Sequence, residues 1–150
     1  MKKIALVTDS TADLTTELQK ELNVHVIPLK VRFGEEEFYD TELTAEEFYR
    51  RLATAAHLPQ TSQPSPEDFL RLYRSLLVDH DAVLSIHLSA NLSGTLNAAA
   101  MAAADLNGRV KLIDSKNISL GISLLLKEAA RLIAAAHPLP SICQELEATR

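Results

Sequence analysis

The amino-acid sequence predicts an α/β fold, a three-layer α/β/α arrangement around a mainly parallel sheet, and three observations carry that prediction. Short β-branched and aliphatic runs at residues 3–8, 24–27, 82–87 and 110–113 read as buried strands. Helical segments of ten or more residues recur between strands, which is the spacing that parallel pairing with crossover helices requires. Hydrophobic residues make up 47% of the chain but aromatics only 5%, so the interior must be built from Leu, Ile, Val and Ala, a composition suited to thin packed layers. A chain of 150 residues is expected to form one domain and to bury about 68–70% of its unfolded surface, enough for a core without disulfide staples.

Taken in order, residues 3–8 form the first strand and deliver Asp9, Ser10 and Thr11 to its end. Asp13 or Thr15 caps the helix that follows, with Leu14, Leu18 and Leu22 on one face, and Asn23 ends it. Val24 to Ile27 is a second strand, interrupted by Pro28. Lys30 to Phe33 and Glu36 to Tyr39, joined across Gly34, predict a hairpin excursion over about residues 30–40. Thr44-Ala45-Glu46-Glu47 is a capping box that opens a helix to about Ala56, with Phe48, Arg51, Leu52, Ala55 and Ala56 facing inward. Leu58 to Pro66 reads as a polar turn in which three prolines hold Thr61 and Ser62 in a fixed frame. Ser65-Pro66-Glu67-Asp68 then supplies an N-cap, a proline at the first helical position and an acidic first turn, for a helix to about Val78 that turns Phe69, Leu72, Tyr73 and Leu76 inward.

The strand at Ala82 to His87 runs into a polar turn, Ser89 to Thr95, whose Ser93, Gly94 and Thr95 open an alanine-rich helix to about Leu106. Helix starts expose unpaired N–H groups and the positive end of the helix dipole, so they attract oxyanions. Ser93 can cap this helix and still aim a hydroxyl at a ligand. After Asn107-Gly108, Val110 to Ile113 is the next strand and delivers Asp114, Ser115, Lys116 and Asn117 to its end. A helix over Ser119 to His137 carries Leu120, Leu124 and Ile133 inward, Pro138 and Pro140 punctuate, and Ser141 opens one more helix. Ligands of open parallel sheets gather beyond the carboxyl ends of the strands. The turns at Asp9 to Thr11, Ser89 to Thr95 and Asp114 to Asn117 are therefore expected to share one rim.

Charge and residue usage narrow the chemistry. Fifteen basic against twenty acidic residues give a net charge of −5, which argues against nucleic acid as a partner. A single cysteine, Cys143, leaves neither an internal disulfide nor a thiolate cluster, and a reducing cytoplasm fits. Met1-Lys2-Lys3 resembles the start of a signal peptide, but the apolar run Ile4 to Val7 is too short for its core. The longest apolar stretch, Ile118 to Leu126, is about half of what spans a bilayer, so a soluble protein without integral membrane association is expected. Four separated glycines exclude both glycine-rich nucleotide fingerprints, and five scattered histidines give no metal site.

Two other features keep further readings open. Ser93, Asp114 and His137 follow the chain order of an α/β-hydrolase triad, so an esterase using Ser93 is one alternative. Asn91 and Thr95 stand where a nucleophile elbow wants small residues, which weighs against it. Residues 35–47 hold seven acidic side chains and no basic one, which reads as a solvated edge or as the docking patch of a protein-interaction domain with a vestigial pocket.

Four motifs in order and spacing resemble the DegV family: Val7 to Leu14, Thr61-Ser62-Gln63-Pro64-Ser65, Ser89 to Thr95, and Ile113 to Lys116 followed by Ser119-Leu120-Gly121. The resemblance covers essentially all 150 residues and corresponds to the first domain of the usual two. It implies a non-enzymatic carrier that binds a long-chain fatty acid, needs no cofactor, and presents the acid to a separate ATP-dependent fatty acid kinase. It also implies that the carboxylate is held by Thr61 and Ser93, with Ser62, Gly94 and Thr95 as neighbours and Asp9, Ser10, Asp114 and Ser115 on the same rim. The second domain that closes the acyl tunnel is expected to be absent. One departure is Ser123, where the family commonly has glycine.

Overall fold

A computed structural model describes residues 3–150; Met1 and Lys2, considered above as the start of a signal peptide, lie outside the described residues. Four parallel strands form the central sheet in the order β2-β1-β6-β7, with β1 at Ile4–Asp9, β2 at Val24–Ile27, β6 at Ala82–His87 and β7 at Val110–Asp114. The two-residue period of these strands sends alternate side chains into two cores. Leu6, Leu84, Ile86 and Ile113 pack on one face against α5 (Leu120–Ala134) and α6 (Leu139–Thr149). Ala5, Val7, Val83 and Val110 pack on the other against α3 (Pro66–Leu76) and α4 (Thr95–Ala103). This is the three-layer α/β/α arrangement that the strand and helix spacing predicts.

Between β2 and α3 the chain builds a separate antiparallel sheet in the order β4-β3-β5, from β3 (Lys30–Phe33), β4 (Glu36–Tyr39) and β5 (Gln60–Ser62), with α2 (Ala45–Thr54) in the connection. Here the expectation of a turn at Leu58 to Pro66 is corrected. Its prolines flank a strand, in which Thr61 stands opposite Val31 and Ser62 opposite Lys30. Proline disfavours helix at the residue before it, and the extended backbone that results can pair as readily as turn.

The helix ends differ from the sequence expectations in instructive ways. Thr15, not Asp13, caps α1 (Thr16–Glu21) by accepting from Leu18 N at 3.2 Å, while Asp13 adopts a left-handed conformation that closes a short 3-10 turn at Ser10–Ala12. Thr44 caps α2 through Glu47 N, but the Glu47 carboxylate turns to Arg50 and Arg51 instead of closing the box, and the helix stops two residues early at Thr54. In α3 the serine cap, the proline and the reciprocal Asp68 bond are all present, and the helix ends at Leu76. The alanine-rich α4 likewise ends early, at Ala103. Leu120 and Leu124 are 72% and 67% exposed, not inward. The apolar run around them offers two stripes, and Ile122, Leu125, Leu126, Ala129 and Leu132 take the buried one. Finally, α5 ends at Ala134 and α6 begins at Leu139, accommodating Pro140 in its first turn.

Candidate functional site

Parallel pairing puts the ends of β1, β6 and β7 on one rim, and Asp9, the Ser89–Thr95 loop and Asp114 with Ser115 follow from those ends. Ser93 is not the N-cap of α4. Gly94 holds that position, and Ser93 sits one residue earlier, where its Oγ accepts from Thr95 N at 3.2 Å and lies 2.9 Å from Thr95 Oγ1. Thr95 is fully buried and Ser93 half-buried. The first backbone bond of α4 runs from Ala98 N to Gly94 O, so with Thr95 N taken by Ser93 Oγ the amides of Leu96 and Asn97 are left at the positive end of the helix.

The second hydroxyl-bearing segment meets this helix start. A Cβ built on Gly94 would stand 2.5 Å from Gln63 Oε1 and 2.8 Å from Gln63 Nε2, so Gln63, directly after β5, lies against the loop that carries Ser93. Thr61 and Ser62 are exposed, and among the described residues neither hydroxyl has a hydrogen-bond partner in the protein. Thr61 also lines a cavity of about 320 Å³ with Val31, Leu43, Phe48, Tyr49 and Asp40, a largely apolar wall that carries the Thr61 hydroxyl and the Asp40 carboxyl. This set can donate hydrogen bonds to an oxyanion and shelter an aliphatic group. Among the described residues no group of three or more His, Cys, Asp or Glu side chains could hold a metal ion.

A family model described as "uncharacterised protein, DegV family" matches residues 3–150. The chain belongs to the DegV family. A DegV domain-containing protein of Deinococcus radiodurans is 41% identical over 96% of this chain and 52% of its own length. A DegV domain-containing 15.5 kDa protein of Staphylococcus aureus is 37% identical over 89% of this chain and 95% of its own. The chain superimposes with a TM-score of 0.91 and 42% identity on a DegV family protein from Thermus thermophilus described for its fatty acid binding, covering 97% of this chain and 52% of that one. It superimposes with a TM-score of 0.90 and 37% identity on DegV, a fatty acid binding protein from Bacillus subtilis, over 98% and 53%. The chain thus spans about half the length of the Deinococcus relative and of both these structures.

The remaining DegV rim residues are engaged within the protein. Asp9 Oδ1 accepts from Thr11 N and Oγ1, and Asp9 Oδ2 accepts from Leu88 N at 3.1 Å and lies 2.9 Å from His87 Nδ1. Burial alone would raise the Asp9 carboxyl, but the bond and charge of His87, with Thr11 and the Leu88 amide, outweigh it and hold the group below its ordinary value. Ser10 Oγ accepts from Leu29 N at 2.9 Å and donates to Asp40 Oδ2 at 2.5 Å. Asp114 Oδ1 accepts from Ala90 N and Lys116 N, tying the Ser93 loop to the end of β7. Ser115 is buried and closes a local turn with Asn117. Ser123 donates to Ala12 O at 2.7 Å and fastens α5 to the turn after β1.

The hydrolase constellation is not assembled. His137 lines a cavity with Ile4 and Ala82, the first residues of β1 and β6, whereas Ser93 lies beyond the other end of β6. Six residues of strand put about 20 Å between those ends. A serine, histidine and aspartate do meet elsewhere: Ser85 Oγ lies 2.7 Å from His87 Nε2, whose ring reaches Asp9, and Tyr73 Oη lies 2.9 Å from Ser85 Oγ. All four side chains are buried, and burial raises the Tyr73 hydroxyl. Without access for a substrate this chain of hydrogen bonds is a structural one. Its sequence signal was the pair of polar residues two apart, Ser85 and His87, on one face of an otherwise aliphatic strand.

Proposed function

We propose that this chain binds a long-chain fatty acid, with the carboxylate at Thr61 and Ser93 and with Ser62, Gly94 and Thr95 as flanking groups. The observation that carries the reading is the contact of Gln63 with Gly94, which brings the Thr-Ser-Gln-Pro and Leu-Ser-Gly-Thr segments together at the start of α4. The fatty acid binding for which the Thermus and Bacillus relatives are described supports the same ligand. Each methylene taken out of water is worth about 0.8 kcal/mol, and hydrogen bonds to a charged carboxylate add about 1.5–3 kcal/mol each. The tail therefore supplies affinity and the hydroxyls supply position.

The chain acts as a carrier in the cytoplasm, not as an enzyme, and presents the acid to a separate ATP-dependent kinase. The chain spans about half the length of the Thermus and Bacillus structures, and the 150 residues alone are expected to retain lipid weakly. Native mass spectrometry with added oleate tests the reading. A complex that weakens on Ser93→Ala and on Thr61→Ala, at unchanged melting temperature, supports it. Absence of any oleate complex, or a loss of binding that tracks loss of stability, overturns it. Formation of acyl phosphate only when a kinase is added tests the carrier role; ATP turnover by this chain alone defeats it.

A further inference from the structure

The dipeptide at the end of β1 divides its bonds between the two elements that carry the site's hydroxyls. Asp9 holds the Leu88 amide, at the root of the loop that leads to Ser93. Ser10, the next residue, reaches the other way. Its Oγ accepts from Leu29 N and donates to Asp40 Oδ2, and Asp40 N in turn donates to Leu29 O at 2.9 Å. Leu29 immediately precedes β3 and Asp40 immediately follows β4, so the three residues close a knot at the root of the antiparallel sheet. Thr61 stands on β5 opposite Val31, two residues beyond Leu29. Asp40 and Thr61 also line the same cavity.

We propose that Ser10 is a positioning residue for the ligand carboxylate: its hydroxyl pins the antiparallel sheet to the end of β1 and so sets where Thr61 stands relative to Ser93. The inference rests on the reading that those two hydroxyls share one carboxylate. A hydroxyl is suited to this place because it accepts from an amide and donates to a carboxylate at once. Alanine can do neither, and threonine can do both. The chain leaves the parallel sheet through Pro28, and the Ser10 knot is a polar connection from the end of β1 to the root of the second sheet. The sequence resemblance put Ser10 among groups near the ligand, and the geometry points to a role one step removed.

Amide hydrogen exchange and oleate affinity, measured on the 150-residue chain, on Ser10→Ala, Ser10→Thr, Thr61→Ala and Ser93→Ala, and on the double variants Ser10→Ala/Thr61→Ala and Ser10→Ala/Ser93→Ala, test the proposal. Ser10→Ala should speed exchange of the Asp40 amide and of residues 60–62 by about tenfold, the worth of a hydrogen bond to a charged group, with the β1 and β6 amides unchanged. Ser10→Thr should restore slow exchange. Ser10→Ala should weaken oleate about tenfold, and adding Thr61→Ala should then cost less than about twofold, whereas adding Ser93→Ala should cost its full single-variant loss. Unchanged exchange at Asp40, or losses from Ser10→Ala and Thr61→Ala that multiply, overturns the proposal. If the unmodified chain binds no oleate, the fatty-acid reading fails, and the exchange of Asp40 and residues 60–62 alone decides whether Ser10 holds the second sheet.

Discussion

Gly94 gives up its side-chain space to Gln63: a Cβ at residue 94 would lie 2.5 Å from the Gln63 amide oxygen. The Gly94 backbone, with φ of −76°, is open to any residue, so glycine is used here for room and not for conformational freedom. Because Gln63 is exposed and its amide is the far end of a flexible chain, the contact can yield without unfolding anything.

Gly94→Ala should therefore separate binding from stability. The unfolding free energy is expected to fall by about 1 kcal/mol or less, the scale of an altered helix start. Oleate affinity is expected to fall about tenfold as the Gln63 amide is displaced from the start of α4 and the added methyl takes its place beside Ser93. Urea unfolding and titration calorimetry report the two quantities. An unfolding loss with binding intact would mean that the Gly94–Gln63 contact serves the fold alone.

Gly121→Ala should behave in the opposite way. A Cβ there would meet Asn117 Cβ, Cγ and Oδ1 at 2.6 Å, near the root of that side chain. Asn117 cannot swing aside freely, since its amide donates to Ser115 O and its backbone N–H to Ser115 Oγ. Alanine gains up to about 1 kcal/mol of helix propensity over glycine, but overpacking costs about 1–3 kcal/mol. A net destabilisation is expected in urea unfolding, with oleate affinity changed only in proportion to the unfolded fraction. A variant as stable as the parent would show that the β7–α5 turn relaxes at no cost.

How far the sequence could be read follows from the range of each signal. Strand identity and helix starts are local: the runs at 82–87 and 110–113, and the Ser65 cap with Pro66, appear in the fold as the sequence predicts. Pairing is not local. Nothing in Gln60-Thr61-Ser62 says that β3 will reach it, and a proline-rich segment read in isolation is a turn. The rim was legible because parallel topology alone gathers the strand ends. The engagement of Asp9 with His87, and of Ser10 with Asp40, depends on partners far away in the chain, so nothing around Asp9 and Ser10 themselves signals their roles in holding the fold. Leu120 and Leu124 show a similar limit, since periodicity cannot choose between two equally apolar stripes.

Ser123→Ala tests whether the bond from α5 to the turn after β1 contributes to stability. The Ser123 hydroxyl is buried and donates to Ala12 O, so removing it leaves a carbonyl without that partner and should cost about 1–3 kcal/mol. Ser123→Gly should lose a further increment of about 1 kcal/mol for glycine inside a helix. Equal stability of the parent and both variants in urea unfolding would mean that the bond contributes nothing net.

Asp9 and Asp40 stand on either side of Ser10 and should give stability opposite dependences on pH. Asp9 is held below its ordinary value of 3.8 because His87, Thr11 and the Leu88 amide outweigh its burial. A depressed carboxyl contributes stability that is present above that ordinary value and is lost as pH falls through the lower, folded one. Asp40 is raised, chiefly by burial and against the bond from Ser10, with Asp9 and Asp13 adding repulsion. A raised carboxyl contributes most while protonated, and that contribution is lost as pH rises through its folded value. Asp9→Asn should thus cost about 1.5–3 kcal/mol near neutral pH, the scale of losing hydrogen bonds to a charged group, with the gap from the parent closing below about pH 4. Asp40→Asn keeps an acceptor for Ser10 but cannot ionise, so it should gain on the parent as pH rises. Urea unfolding of the three proteins from about pH 3 to about pH 7 reads both slopes. Parallel pH profiles for all three would mean that neither carboxyl is shifted in the folded chain.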